Sequence, residues 1–97
     1  MMKTIVAVKI NPRDNVVTLV GDASPGDGVR YMTPEGDREI TVLDKVPFGH
    51  KVAASDIGAG EQVIKYNEAI GRASQAIRKG EHVHVHNVAS AVQGGAT

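Results

Sequence analysis

The chain has no cysteine and no tryptophan, and of its 97 residues only Tyr31, Phe48 and Tyr66 are aromatic. Without thiols it can hold neither a disulfide framework nor an iron–sulfur cluster on its own ligands, a composition that fits the cytoplasm. So few aromatics leave no platform for stacking the bases of a single-stranded nucleic acid. Charge of one sign is missing too: 11 basic and 11 acidic residues are interspersed, so no basic surface for nucleic acid is expected. The apolar run Ile5–Val8 is cut off by Lys9, too early for a signal-peptide core or a membrane span, and no membrane partner is expected. A sustained helical period is also lacking, although Ser55–Ile57 and Glu68–Ile77 have room for short helical turns.

What is present is a series of short β-branched runs separated by glycine, proline and aspartate. Thr4–Ile10, Val16–Val20, Val29–Met32, Glu39–Leu43, Lys51–Ala53, Gln62–Tyr66 and Glu81–Asn87 read as strands, with Ile40 and Val42 on one face of the fourth. Glycine precedes valine by three residues four times, as Gly26/Val29, Gly49/Val52, Gly60/Val63 and Gly80/Val83. Each pair reads as a turn feeding a strand whose valine enters the core. The uneven spacing excludes a solenoid and suggests a small folded-over sheet. One domain over residues 1–90 is expected, with 91–97 a flexible tail ending in Gly94-Gly95-Ala96-Thr97.

The richest segment chemically is Gly80-Glu81-His82-Val83-His84-Val85-His86-Asn87, which carries three of the four histidines at a strand's period. On an extended strand His82, His84 and His86 share one face and the valines the other. Imidazole ligates metals, shuttles protons or binds anions as the cation. Alternate side chains lie roughly 7 Å apart, so neighbours can converge on one ion, whereas His82 and His86, about 13 Å apart, cannot easily share it. His84 and His86 with His50, or with a group from another chain, are the expected metal ligands. A solvated histidine face is the bland alternative. Gly58-Ala59-Gly60 is a poor start for a dinucleotide fingerprint, because Val63 stands at the third glycine position.

The ordered combination Pro47-Phe48-Gly49-His50-Lys51-Val52-Ala53, Asp56-Ile57-Gly58-Ala59-Gly60-Glu61, Val63-Ile64-Lys65-Tyr66, Ile70-Gly71-Arg72-Ala73 and Ile77–Asn87 resembles the SAF domain. More narrowly, it is similar to the SAF domain of altronate and galactarate dehydratases. Asn11–Val16 resembles that group's opening segment, and the likeness spans most of residues 5–88. Asn67 stands where the family usually has glycine. The resemblance implies a mainly β fold, a β-clip of short bent antiparallel strands with minor helical turns. It also implies a large catalytic partner, so that this chain is a small subunit or N-terminal domain and is not active alone.

The chemistry implied is dehydration of a sugar acid by α-proton abstraction and β-elimination, assisted by a divalent ion such as iron, manganese or zinc. Sulfolactate sulfo-lyase, whose small subunit is SAF-like, and non-catalytic SAF modules for carbohydrate binding or assembly are the alternatives. On this reading His84 and His86 are catalytic, and Lys51, Lys65 and Arg72 bind the substrate anion. Solvated lysines, and an Arg72 paired with Glu61 or Glu68, are the competing readings. Asp14 and Asp56 have ordinary turn-capping roles.

Overall fold

The computed structural model describes residues 2–90, and the expected tail at 91–97 lies outside them. Nine strands follow in order: β1 (Thr4–Val8), β2 (Val16–Leu19), β3 (Gly28–Thr33), β4 (Gly36–Thr41), β5 (Lys51–Ala53), β6 (Gln62–Lys65), β7 (Glu68–Ala73), β8 (His82–Val83) and β9 (Val88–Ser90). Six form a sheet in the order β4-β3-β1-β2-β5-β8, and three form a second sheet, β6-β7-β9. Among the described residues, β1 and β3 are the one parallel pair and the other strand pairs are antiparallel. Among the described residues no helix is long and apolar enough to cross a membrane.

The mainly β fold expected from the short runs is the one observed, and alternation along β2 and β5 explains its two cores. Val17, Leu19 and Val52 point into a cluster with Val29, Ile40 and Val42, while Val16 and Ala53 turn to the opposite side, against Val63, Ile77 and Val83. These central strands are thus covered on both faces, which is why their sequences read as nearly continuous apolar runs.

The glycine–valine rhythm is a structural repeat. Gly26, Gly49, Gly60 and Gly80 all have positive φ, and Val29, Val52, Val63 and Val83 are fully buried. Each turn starts from a buried apolar residue, and these pair across the molecule as the bridges Ala23↔Val46 and Ile57↔Ile77. Asp22 accepts from the Phe48 amide and Asp56 from the Lys79 amide, both at 2.8 Å, so the turns are locked two by two. Within a turn, the residue after the glycine caps the amide three positions earlier: Asp27 on Ser24, Glu61 on Gly58 and Glu81 on Arg78. In the remaining turn that earlier position is Pro47, which has no N–H to cap. The residue after its glycine is released from capping, and it is His50.

Three expectations change. Glu68–Ile77 and Ser55–Ile57 form no helical turn: Glu68–Ala73 is β7, and Ile57 bridges Ile77. The helical reading overlooked how closely strands meet at Gly71, where a Cβ would lie 2.3 Å from the Ala89 carbonyl oxygen. The run Glu81–Asn87 is not one strand either. After β8 the chain turns, the Asn87 amide donating to the His84 carbonyl at 3.1 Å. Val83 is 0% exposed and Val85 81%, so the alternation breaks between them. Asn67, the departure from the family pattern, shares a left-handed turn with Tyr66, at φ 62° and 57°, and Asp14 accepts its amide at 2.8 Å. Burial opposes ionisation of Asp14, but the amides of Asn67, Tyr66, Asn11 and Ile10 outweigh it and hold the carboxyl below its usual range.

The six-stranded sheet curls until its two ends meet. Beyond β4, the Leu43 amide donates to the Gly80 carbonyl at 2.9 Å and Asp44 accepts from the His82 amide at 2.9 Å. The segment after one edge strand therefore runs along the other edge strand, β8, where the histidines lie.

Candidate metal and substrate site

The fold brings histidines together from two distant parts of the chain. His50 enters from the uncapped turn before β5; His82 lies on β8, which pairs with β5, and His84 follows β8. His50 Nδ1 is 2.9 Å from His82 Nε2. The ring centroids of His50 and His84 are 4.4 Å apart, and those of His82 and His84 5.4 Å. One nitrogen from each of the three can be chosen so that all lie within 4.8 Å of one another.

Two imidazole ligands of a tetrahedral ion sit about 3.3 Å apart for metal–nitrogen distances near 2.05 Å. The His50–His82 pair must open by a few tenths of an ångström, and His84 must close by somewhat more. Three imidazole nitrogen donors, half-buried and on one rim, fit the donor set of a divalent ion and leave its other positions open. In the metal-free chain, one nitrogen of the close pair donates a hydrogen bond to the other.

The surroundings favour the neutral imidazole that ligation requires. Burial, followed by the neighbouring His50, His86 and His84, lowers the His82 pKa, with Asp44 opposing. Burial, then His50, Lys51 and His86, lowers that of His84. Lys51 is itself held below its ordinary value, chiefly by burial and then by the charge of Lys65. It lies beside His84 in a cleft of about 230 Å³ that Ile70, Val85 and Val88 complete.

The residues expected from sequence are distributed as follows. His50 and His84 are in the convergent trio; its third member is His82, while His86 is exposed with its ring 5.3 Å from that of His82. The strand geometry that set His82 aside assumed an extended chain through His86, which the turn removes. Lys51 is in the cleft, Lys65 is near enough to perturb it, and the Lys65 Nζ also sits 4.7 Å from the Tyr66 ring centre. Arg72 donates to the Gly60 carbonyl at 2.9 Å. Among the described residues the ion pairs are Arg30–Glu39 and Arg78–Glu81, neither of which involves Arg72. Asn87 and Asp44, which hold the histidine segment, were not singled out from sequence; a turn-forming asparagine directly after the third histidine is the available signal.

Comparison with known proteins matches residues 5–91 to the family model of the altronate/galactarate dehydratase SAF domain. The chain is 56% identical over 74 residues to (2R)-sulfolactate sulfo-lyase subunit alpha of Chromohalobacter salexigens, covering 74% of this chain and 79% of that one. It is 38% identical over 80 residues to altronate dehydratase of Bacillus subtilis, covering 82% of this chain and 15% of the relative. Against galactarate dehydratase (L-threo-forming) of Escherichia coli it is 37% identical over 76 residues, covering 78% and 14%. It thus spans most of the sulfo-lyase subunit but only about one seventh of the dehydratases. The chain belongs to the altronate/galactarate dehydratase SAF domain family.

Proposed function

We propose that this chain is the small subunit or N-terminal domain of a hydroxy-acid lyase of the altronate/galactarate dehydratase type, covering one side of a site completed by a larger catalytic chain. The carrying observation is the convergence of His50 with His82, 32 residues away in sequence, and with the following His84, on a rim beside Lys51. The small share of the dehydratases that the chain matches supports a large partner. So does size: a 97-residue β domain has little room to enclose a sugar acid, and substrate pockets favour domain interfaces.

In this reading His50, His82 and His84 hold a divalent ion, with His86 beside them. When bound, the ion supplies charge stabilisation for the enediolate-like species formed by loss of the α-proton. Lys51 and Lys65 orient the substrate anion through charge-assisted hydrogen bonds. His86, exposed next to His82, donates the proton to the departing β-hydroxyl. His84, the ligand that shares the cleft with Lys51, ties the ligand set to the anion-binding side. The large chain supplies the remaining acid–base groups.

A second reading has an observation of its own. The match to a sulfo-lyase subunit extends over most of that subunit's length at the higher identity, which favours a sulfonated hydroxy acid with sulfite as the leaving group. One screen separates the two readings. The complex with its large chain is offered altronate, galactarate and sulfolactate, and 2-oxo acid and sulfite are followed separately. A 2-oxo acid from the sugar acids supports the dehydratase reading, sulfite from sulfolactate the second. Binding of sugar acids without turnover by the complex overturns both and leaves a binding module.

A further inference from the structure

The strand that carries the histidines is an edge strand with outward-facing polar groups that no neighbouring strand receives. Along a strand, the N–H and C=O of one residue and the N–H two residues further on point to the same side. On β8 the inner side belongs to β5, through the pairs Lys51↔Val83 and Val52↔His82 and the bond from the Ala53 amide to the Glu81 carbonyl. The outer side presents the Gly80 carbonyl, the His82 amide and carbonyl, and the His84 amide.

Each of these four groups has a partner, and the partners come from two places. The Leu43 amide takes the Gly80 carbonyl, and the Asp44 carboxylate takes the His82 amide. The next two are taken by a single side chain: Asn87 Nδ2 donates to the His82 carbonyl at 2.9 Å, and its Oδ1 accepts from the His84 amide at 3.0 Å. Asn87 is 2% exposed, and its own amide closes the turn back to the His84 carbonyl. One carboxamide therefore acts as a one-residue strand, bridging the two histidines whose side chains must converge.

We infer that Asn87, with Asp44, is a positioning residue of the histidine site: it replaces a neighbouring strand along the outer edge of β8 and so sets the spacing of His82 and His84. The inference rests on the reading of those histidines as a chelating site and deepens it. An extended chain would carry the two imidazoles along the strand at roughly 7 Å. The turn that Asn87 closes instead brings their ring centres to 5.4 Å and lets both reach His50. Groups that orient metal ligands, without touching the ion, typically change affinity by 10–100-fold.

The test titrates Zn²⁺ alone into the 97-residue chain and its variants and records the nitrogen resonances of the histidine rings. Asp14→Ala is the matched control, because buried Asp14 likewise closes a turn with two backbone amides, those of Asn67 and Asn11, and touches no histidine. Asn87→Ala is expected to weaken Zn²⁺ binding roughly 10–100-fold and to shift the His82 and His84 resonances, with Asp14→Ala changing neither. Asp44→Ala, at a less buried position, is expected to act in the same direction and Asp44→Asn, which keeps an acceptor, to recover most of the loss. Folded Asn87→Ala with wild-type affinity and unshifted rings overturns the inference, as does an equal loss in Asp14→Ala. Should Asn87→Ala fail to fold, the Asp44 pair decides: equal affinity in Asp44→Ala and wild type overturns it. If the wild-type chain binds Zn²⁺ no better than a His50/His82/His84 triple alanine variant, the chelating reading fails, and the ring resonances alone then decide whether Asn87 sets the histidine geometry.

Discussion

Replacing Gly80 with alanine tests the closure of the sheet, because the equivalent glycine of another turn supplies an internal reference. Gly49 and Gly80 both have positive φ, at 83° and 94°, so an L side chain costs about 1–2 kcal/mol at either one. At Gly49 a Cβ meets nothing within 4 Å. At Gly80 it would stand 2.3 Å from the Thr41 carbonyl oxygen and 3.3 Å from Leu43 Cγ, a clash with the end of β4 that only backbone movement relieves. That movement strains the bonds from Gly80 N to the Ala53 carbonyl and from Leu43 N to the Gly80 carbonyl, both 2.9 Å, each worth about 0.5–1.5 kcal/mol net. Gly49→Ala should therefore cost about 1–2 kcal/mol and Gly80→Ala about 2–5. For a domain of this size each kcal/mol moves Tm by about 4–8 °C, so the two variants should separate by roughly 10 °C in thermal unfolding. Equal losses would mean that the segment after β4 does not lie against β8, and the account of the histidine rim would fall with it.

Two further outcomes follow from the site. Since His82 and His84 titrate below the ordinary imidazole range when folded, the unfolded chain takes up protons first. The contribution of these two histidines to stability should be level at and above neutrality, fall as pH drops below about 6.5, and level off beneath their folded values; a metal-free Tm that rises from pH 7 to pH 5 contradicts this environment. If Lys51 and Lys65 hold the substrate anion, glutamine at either position should raise KM in the assembled enzyme by roughly tenfold while leaving Tm nearly unchanged, and wild-type kinetics in the double variant would return both lysines to the solvated surface.

Where the sequence was legible, local chemistry and tertiary structure agreed. Alternating and β-branched runs gave most of the strands, and the glycine three residues before each buried valine marked all four repeated turns. β7 was obscured because Glu68, Ala69, Gly71 and Ala73 are weak strand formers, and its place depends on Gly71 admitting the Ala89 backbone. The histidine site was half legible. The period of two drew attention to the correct segment, but it described a strand that Asn87 ends after Val83. His50 owes its freedom to Pro47, which lacks the amide that Asp27, Glu61 and Glu81 cap in the other turns.

On the proposed reading, the most direct measurement of the division of labour is turnover by a complex reconstituted with a large catalytic chain. The large chain is assayed alone, with the wild-type small chain, and with a His84→Ala small chain shown to co-assemble. Neither chain alone should release 2-oxo acid, the wild-type pair should, and the His84→Ala pair should be slower by about 100-fold or more, the scale of losing a positioned acid–base or ligand group. Full turnover by the large chain alone, or by the His84→Ala complex, would contradict a catalytic role for the histidine rim.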